Sequence, residues 1–203
     1  MLEPKLLNDF IAEIDHTYQQ FCVWKYTNNQ MVVHEERFND KVNRRWCNTT
    51  EELIANNGQF QNFWTVTLPT LMHGWMLSVS RLMDDAYFDP KKKTKLNLSM
   101  NLIIDLLDDL VLVEQITVEM DKHQAFIQSI KKWRDKYLAH NDVHFSDITI
   151  RKGFEDYIEA LLECVEKIKI SKPHLVGCSK INLVHIDQLS KAGVDELFAK
   201  FVN

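Results

Sequence analysis

The sequence predicts an all-α fold, and two observations carry the prediction. Only 5 glycines and 4 prolines interrupt 203 residues, and apolar residues return at three- and four-residue spacing along nearly every long stretch. A chain of this length can bury one sizeable core and is short for two. The expected organisation is a single helical-bundle domain over residues 1–172, followed by a C-terminal tail, 173–203, with a short terminal helix.

The first helix is expected from about Lys5 to Lys25, with Leu7, Phe10, Ile11, Ile14, Tyr18, Phe21 and Cys22 on one face. From Gln30 to Asn57 the chain is more polar and less periodic. Within that stretch Thr49-x-x-Glu52 has the form of a capping box, and Arg44-Arg45-Trp46 reads as exposed basic-aromatic surface. The most apolar helix is expected from about Gln59 to Tyr87. It contains Pro69, which removes one backbone donor and should kink it. At its end Arg81 can reach Asp84 or Asp85, three or four residues on.

Asp89-Pro90 then opens a turn and a basic loop, with Lys91, Lys92, Lys93 and Lys95 within five positions. Ser99 or Asn97 is placed to cap a short helix bearing Leu102, Ile103, Leu106, Leu107 and Leu110, with Asp105, Asp108 and Asp109 turned outward. One long helix is expected from about Val113 to His140. Another runs from about Thr149 to Ile170 and is stopped by Pro173. In the tail, Ile181 to Ile186 reads as extended, ahead of a helix from about Ser190 to Val202.

The net charge of −5 argues against a protein that coats nucleic acid through global charge, though it leaves room for a local basic site. Cys22, Cys47, Cys164 and Cys178 are widely spaced, without a Cys-x-x-Cys pair, and read as reduced thiols. The start, Met1-Leu2-Glu3-Pro4, lacks the form of a signal peptide, and every apolar run is broken before membrane-spanning length. The expectation is a soluble, cytoplasmic protein with no membrane segment.

The stretch that organises the chain is Trp133-Arg134-Asp135-Lys136-Tyr137-Leu138-Ala139-His140-Asn141-Asp142. Arg134 falls in phase with Ile127, Ile130, Tyr137 and Leu138, on an otherwise apolar stripe. A guanidinium there needs a partner, because burying an unpaired charge is costly. At about 100° per residue, Arg134 and His140 lie about 60° to either side of Tyr137. One long side chain can bridge that gap, or a second subunit can close it.

Arg134-Asp135, a short spacer and His140 resemble the arginine-to-histidine motif of the HEPN superfamily. These are all-helical domains, many of which cleave RNA without a metal. The fuller string, Arg134-Asp135-Lys136, Ala139-His140 and Asp142, is most similar to the abortive-infection, AbiU-like branch. Ser80-Arg81-Leu82-Met83-Asp84, with Leu98-Ser99 opening the next helix, resembles a second segment of that branch. In the family two subunits pair so that both motifs face one cleft, which implies a homodimer here. The resemblance also implies RNA as substrate, no cofactor, and a phage-defence or toxin–antitoxin setting with an antitoxin-like protein as a possible partner. Some relatives carry, two residues after the histidine, a tyrosine that a partner nucleotidyltransferase modifies. Asp142 stands at that position here and departs from that pattern.

The chemistry implied needs few groups. Histidine suits removal of a proton from a ribose 2′-hydroxyl, because its reference pKa is near neutral. Arginine suits the extra charge on the phosphorane, because its planar fork matches phosphate oxygens two at a time. Arg134 and His140 are thus the candidate catalytic pair, with Asp135 to orient one of them. Lys136, Tyr137, Lys91, Lys92 and Lys93 are candidate RNA contacts. Three other readings stand beside this one. Arg134 can be a structural ion pair and His140 a favourable helix-end residue. The domain can be a non-catalytic binding or dimerisation module. His140, Asp142 and His144, with His123 or Asp147 nearby, can hold a metal.

Overall fold

Helix α1 runs from Pro4 to Lys41, well past the end at Lys25 expected from its apolar stripe. No glycine or proline stands between Pro4 and Gly58 to stop it. In this computed structural model the backbone is described for residues 2–41, 58–89, 91, 94–140, 147–175 and 177–202. Side chains within these are described except at 31–41, 58–65, 89, 94–95, 136–140, 147–152 and 201–202. The capping box at Thr49 to Glu52 and the Arg44-Arg45-Trp46 surface lie outside the described residues, as does Cys47.

Helix α2 spans Gly58–Leu82 and continues through Pro69. It ends five residues before the Tyr87 expected, because Tyr87–Asp89 forms strand β1. That strand pairs antiparallel with β2, Thr94–Leu96. Of the stretch expected to be a turn and a basic loop, Asp89 belongs to β1, Lys91 to a turn, and Thr94 and Lys95 to β2. Four helices and a 3-10 turn follow: α3 (Met100–Asp105), α4 (Leu110–Asp121), α5 (Gln124–His140), α6 (Asp147–Ser171) and Pro173–Leu175. Helix α7 (Leu183–Val202) ends the chain. The expected all-α class holds, with one two-stranded hairpin among the described residues.

Side-chain caps account for the starts of α3 and α4. Ser99 Oγ accepts from the Leu102 amide at 3.3 Å, and Asp109 Oδ1 accepts from the Leu112 amide at 3.1 Å. The helix expected from Val113 to His140 is two helices. The amides of Lys122 and His123 bond back three residues, to Glu119 and Met120, and this tighter winding closes α4 before α5 begins. Ile181 to Ile186 is not an extended stretch. Asn182 Oδ1 accepts from the His185 amide at 3.1 Å and starts α7 there.

The chain forms two compact units, residues 1–17 with 76–181 and residues 18–75 with 182–203. In the first, α4 and α5 pack along α6, over a core that includes Ile116, Ile130, Trp133, Phe154, Tyr157 and Leu161. Gly153 lets α6 approach closely, since a Cβ there would sit 2.9 Å from Cδ2 of Phe126. Lys169 is buried but satisfied, donating to Glu166 at 2.9 Å and to the Ser179 carbonyl at 2.6 Å.

In the second unit, Trp75 meets Phe21 edge-on at 5.3 Å between ring centroids. Val194 and Phe198 of α7 pack on Val23 and Tyr26 of α1. Asp187 accepts from Lys25 at 2.7 Å, from the Tyr26 hydroxyl, and from the Cys22 thiol at 3.6 Å. Burial, more than any neighbour, pushes that thiol up to about 12, so it is a protonated core group at neutral pH. No helix among the described residues is long and apolar enough to cross a membrane.

Candidate active site

Arg134 sits on α5 one residue after the buried Trp133, where the apolar stripe carries it toward the end of α2. Its partners come from the last turn of α2, from the turn that follows it, and from α5 itself. Nη1 donates to Asp84 Oδ1 at 2.7 Å and to Ser80 Oγ at 3.1 Å. Nε donates to Asp135 Oδ1 at 3.3 Å. Ser80 and Asp84 are four residues apart, so both reach one side of the guanidinium. The two motif segments, distant in sequence, thus meet side chain to side chain.

Both members of the Arg134–Asp84 pair remain partly open, at 28% and 29% side-chain exposure. Burial works against the charge on Arg134. The hydrogen bonds and charges of Asp84 and Asp135 outweigh it and raise the arginine's pKa above its ordinary value. Its described bonds use Nε and Nη1, and among the described residues none takes Nη2.

Arg81 does not pair with Asp84 or Asp85 as its spacing suggests. It reaches Glu13 of α1 at 3.1 Å and Ser78 at 3.1 Å. The Asp84 carboxylate, within reach of Arg81 by spacing, goes to Arg134 instead. Local spacing sees only neighbours on one helix, and Arg134 competes from 50 residues away.

His140 is the last residue of α5, six positions after Arg134 and so about 9 Å further along the axis. Lys136 and Tyr137 lie on the same helix between them. The side chains of all three are outside those described. Lys91 is an exposed residue of the hairpin turn, whereas Lys92 and Lys93 lie outside the described residues. So do Asp142 and His144 of the alternative metal reading. His123, offered as a further ligand, packs edge-on against Tyr157 with ring centroids 5.9 Å apart. Among the described residues no group of three or more His, Cys, Asp or Glu could hold a metal ion.

The three aspartates expected at the surface have structural partners. Asp105 accepts from the Tyr87 hydroxyl, Asp108 pairs with Lys172, and Asp109 caps α4 and accepts from Ser171. No curated protein and no solved structure matches the chain. A family model, described as AbiU2 of the HEPN group, matches residues 7–170. That span takes in both the Ser80–Asp84 segment and the Arg134–His140 segment. The chain belongs to the AbiU2 family of HEPN domains, a family related to abortive infection.

Proposed function

We propose that this protein is a metal-independent endoribonuclease of a phage-defence or toxin–antitoxin type system, acting at a cleft between two subunits. The observation that carries the reading is Arg134, clamped by Ser80 and Asp84 and still 28% exposed. His140, at the end of the same helix, takes the proton from a ribose 2′-hydroxyl. The freed oxygen attacks the adjacent phosphorus, the 5′-oxygen leaves, and a 2′,3′-cyclic phosphate remains. Arg134 holds the non-bridging oxygens and takes up the charge that develops on them. Asp135, on Nε, and Asp84, on Nη1, fix the plane of the fork. Lys136, Tyr137 and the lysines at the hairpin contact the RNA, and an antitoxin-like protein holds the activity in check.

The dimer rests on the family and on the separation between Arg134 and His140 along α5. Charge balance gives it no support, since Arg134 finds its carboxylates within its own chain. A second reading, a non-catalytic HEPN-like binding or dimerisation module, draws support from one feature. Asp84 and Asp135 together carry more negative charge than Arg134 carries positive, which suits a structural clamp. Single-turnover cleavage separates the two. Under the catalytic reading Arg134→Ala and His140→Ala each slow cleavage of mixed-sequence RNA by about 100-fold or more. The double variant is slowed far less than the product of the two, because both groups serve one transition state. A purified wild-type protein that binds RNA and never cuts it supports the module instead.

A further inference from the structure

Phe88 lies in the middle of β1 and is 75% exposed. Two three-residue strands make a hairpin too small to be stable alone, and this aromatic ring contributes little burial to it. Residues alternate in facing along a strand. Tyr87, on the opposite face, donates its hydroxyl to Asp105 at 2.6 Å and ties that side to α3. The register, Tyr87 with Leu96 and Asp89 with Thr94, puts position 95, a lysine in the sequence, opposite Phe88.

The base of the hairpin is fastened to the segment that clamps Arg134. Asn97 donates its side-chain amide to the Asp85 carbonyl at 2.8 Å and its backbone amide to the Ala86 carbonyl at 3.0 Å. Asn101 donates to the Asp84 carbonyl at 2.9 Å. Asp84 in turn holds Arg134 at 2.7 Å. Phe88 is four residues from Asp84, at most about 14 Å of extended chain. A solvent-facing aromatic is thus held within a short stretch of nucleic acid of the guanidinium. The sequence adds charge to match: Lys91 is exposed in the turn, and the link between the strands is rich in lysine on an otherwise acidic chain.

We propose that Phe88 is a stacking platform for a base of single-stranded RNA, with the positive hairpin holding the backbone that leads to Arg134. The assignment rests on the RNA reading of the Arg134 site, and it adds a base-binding position beside that site. Stacking needs an unpaired base with an open face, so the hairpin selects single strands over duplex. It tolerates any base, because every base presents a π-face.

The test is binding of a labelled 2′-O-methyl oligonucleotide, which cannot be cut by 2′-hydroxyl attack, to the full-length protein. Phe88→Ala should weaken binding of the single strand by roughly 5- to 100-fold and leave duplex binding unchanged. Phe88→Trp should keep the affinity, and its indole fluorescence should be quenched as the base stacks. Because Phe88 is exposed, melting temperatures of all three proteins should agree within a few degrees. Equal affinity of wild type and Phe88→Ala, or no quenching in Phe88→Trp, overturns the proposal. So does a change in self-association on Phe88→Ala without a change in RNA affinity, which would make the ring a protein contact. Cleavage assayed in parallel keeps the two readings apart. Phe88-dependent binding without cleavage removes the ribonuclease and leaves the platform, and cleavage indifferent to Phe88 does the reverse.

Discussion

Arg134 and Asp84 lie 50 residues apart in the chain and meet at 2.7 Å, with Ser80 hydrogen-bonded to the same guanidinium nitrogen. A buried ion pair broken from one side commonly costs 3–5 kcal/mol, and exposure of this one to solvent scales that down to about 2 kcal/mol. Asp84→Ala should therefore destabilise the protein by about 2 kcal/mol in urea unfolding. Arg134→Ala should cost a similar amount, and the double variant little more than either single one. Additive losses would mean that the two side chains do not act as a pair.

Mixing inactive variants tests whether the site is shared between subunits. A dimer of one Arg134→Ala chain with one His140→Ala chain keeps one of its two arginine–histidine pairs complete if arginine and histidine come from different subunits. After random exchange about a quarter of wild-type cleavage should return. No recovery after verified exchange would place both groups of each site in one chain.

The carboxylate of Asp187 should make the docking of α7 sensitive to acid. Burial opposes its charge, but hydrogen bonds from Lys25 and Tyr26 outweigh burial and hold its pKa below the usual carboxylate range. With the folded pKa depressed, this stabilisation is present above the unfolded value of about 3.9 and is lost as pH falls through the folded value. Hydrogen exchange at α7 amides should accelerate below about pH 4 in the wild type. Asp187→Asn should already exchange faster at pH 7, with a weakened pH dependence. Identical exchange in both proteins would show that Asp187 does not hold the helix.

Gly153→Ala sets two effects against each other. Alanine favours the helix by about 1 kcal/mol over glycine, but its Cβ would lie 2.9 Å from Cδ2 and 3.3 Å from Cγ of Phe126. Overpacking of this kind costs about 1–3 kcal/mol. The net expectation is a loss of about 1 kcal/mol, read as a lowered urea midpoint. A stabilised variant would mean that the Phe126 ring moves aside freely.

Periodicity made the helical class legible, and the lone arginine on the α5 stripe pointed to the candidate site before any geometry. What it could not give was the partner. Asp84 looks, from spacing, like an i+3 partner for Arg81, and only the approach of α5 to the turn after α2 reassigns it. Boundaries failed where no special residue marks them. The α4–α5 break falls at Lys122-His123, with neither glycine nor proline, because a tightened last turn ends α4. The start of α7 reads from sequence as extended, since Ile181 to Ile186 shows no helical period of its own. The Asn182 cap and the burial of Ile186 fix it as helix. The hairpin was hidden for a related reason, since three-residue strands are too short for alternation to register.

The central claim is metal-independent cleavage by Arg134 and His140, and the nature of the RNA ends tests it most directly. Purified protein is incubated with mixed-sequence RNA, with and without EDTA, and the fragment ends are analysed. The account predicts equal cleavage in both conditions, 2′,3′-cyclic phosphate on the upstream fragment, and its loss in Arg134→Ala and His140→Ala. Cleavage that vanishes with EDTA, or that persists undiminished in both alanine variants, would contradict it.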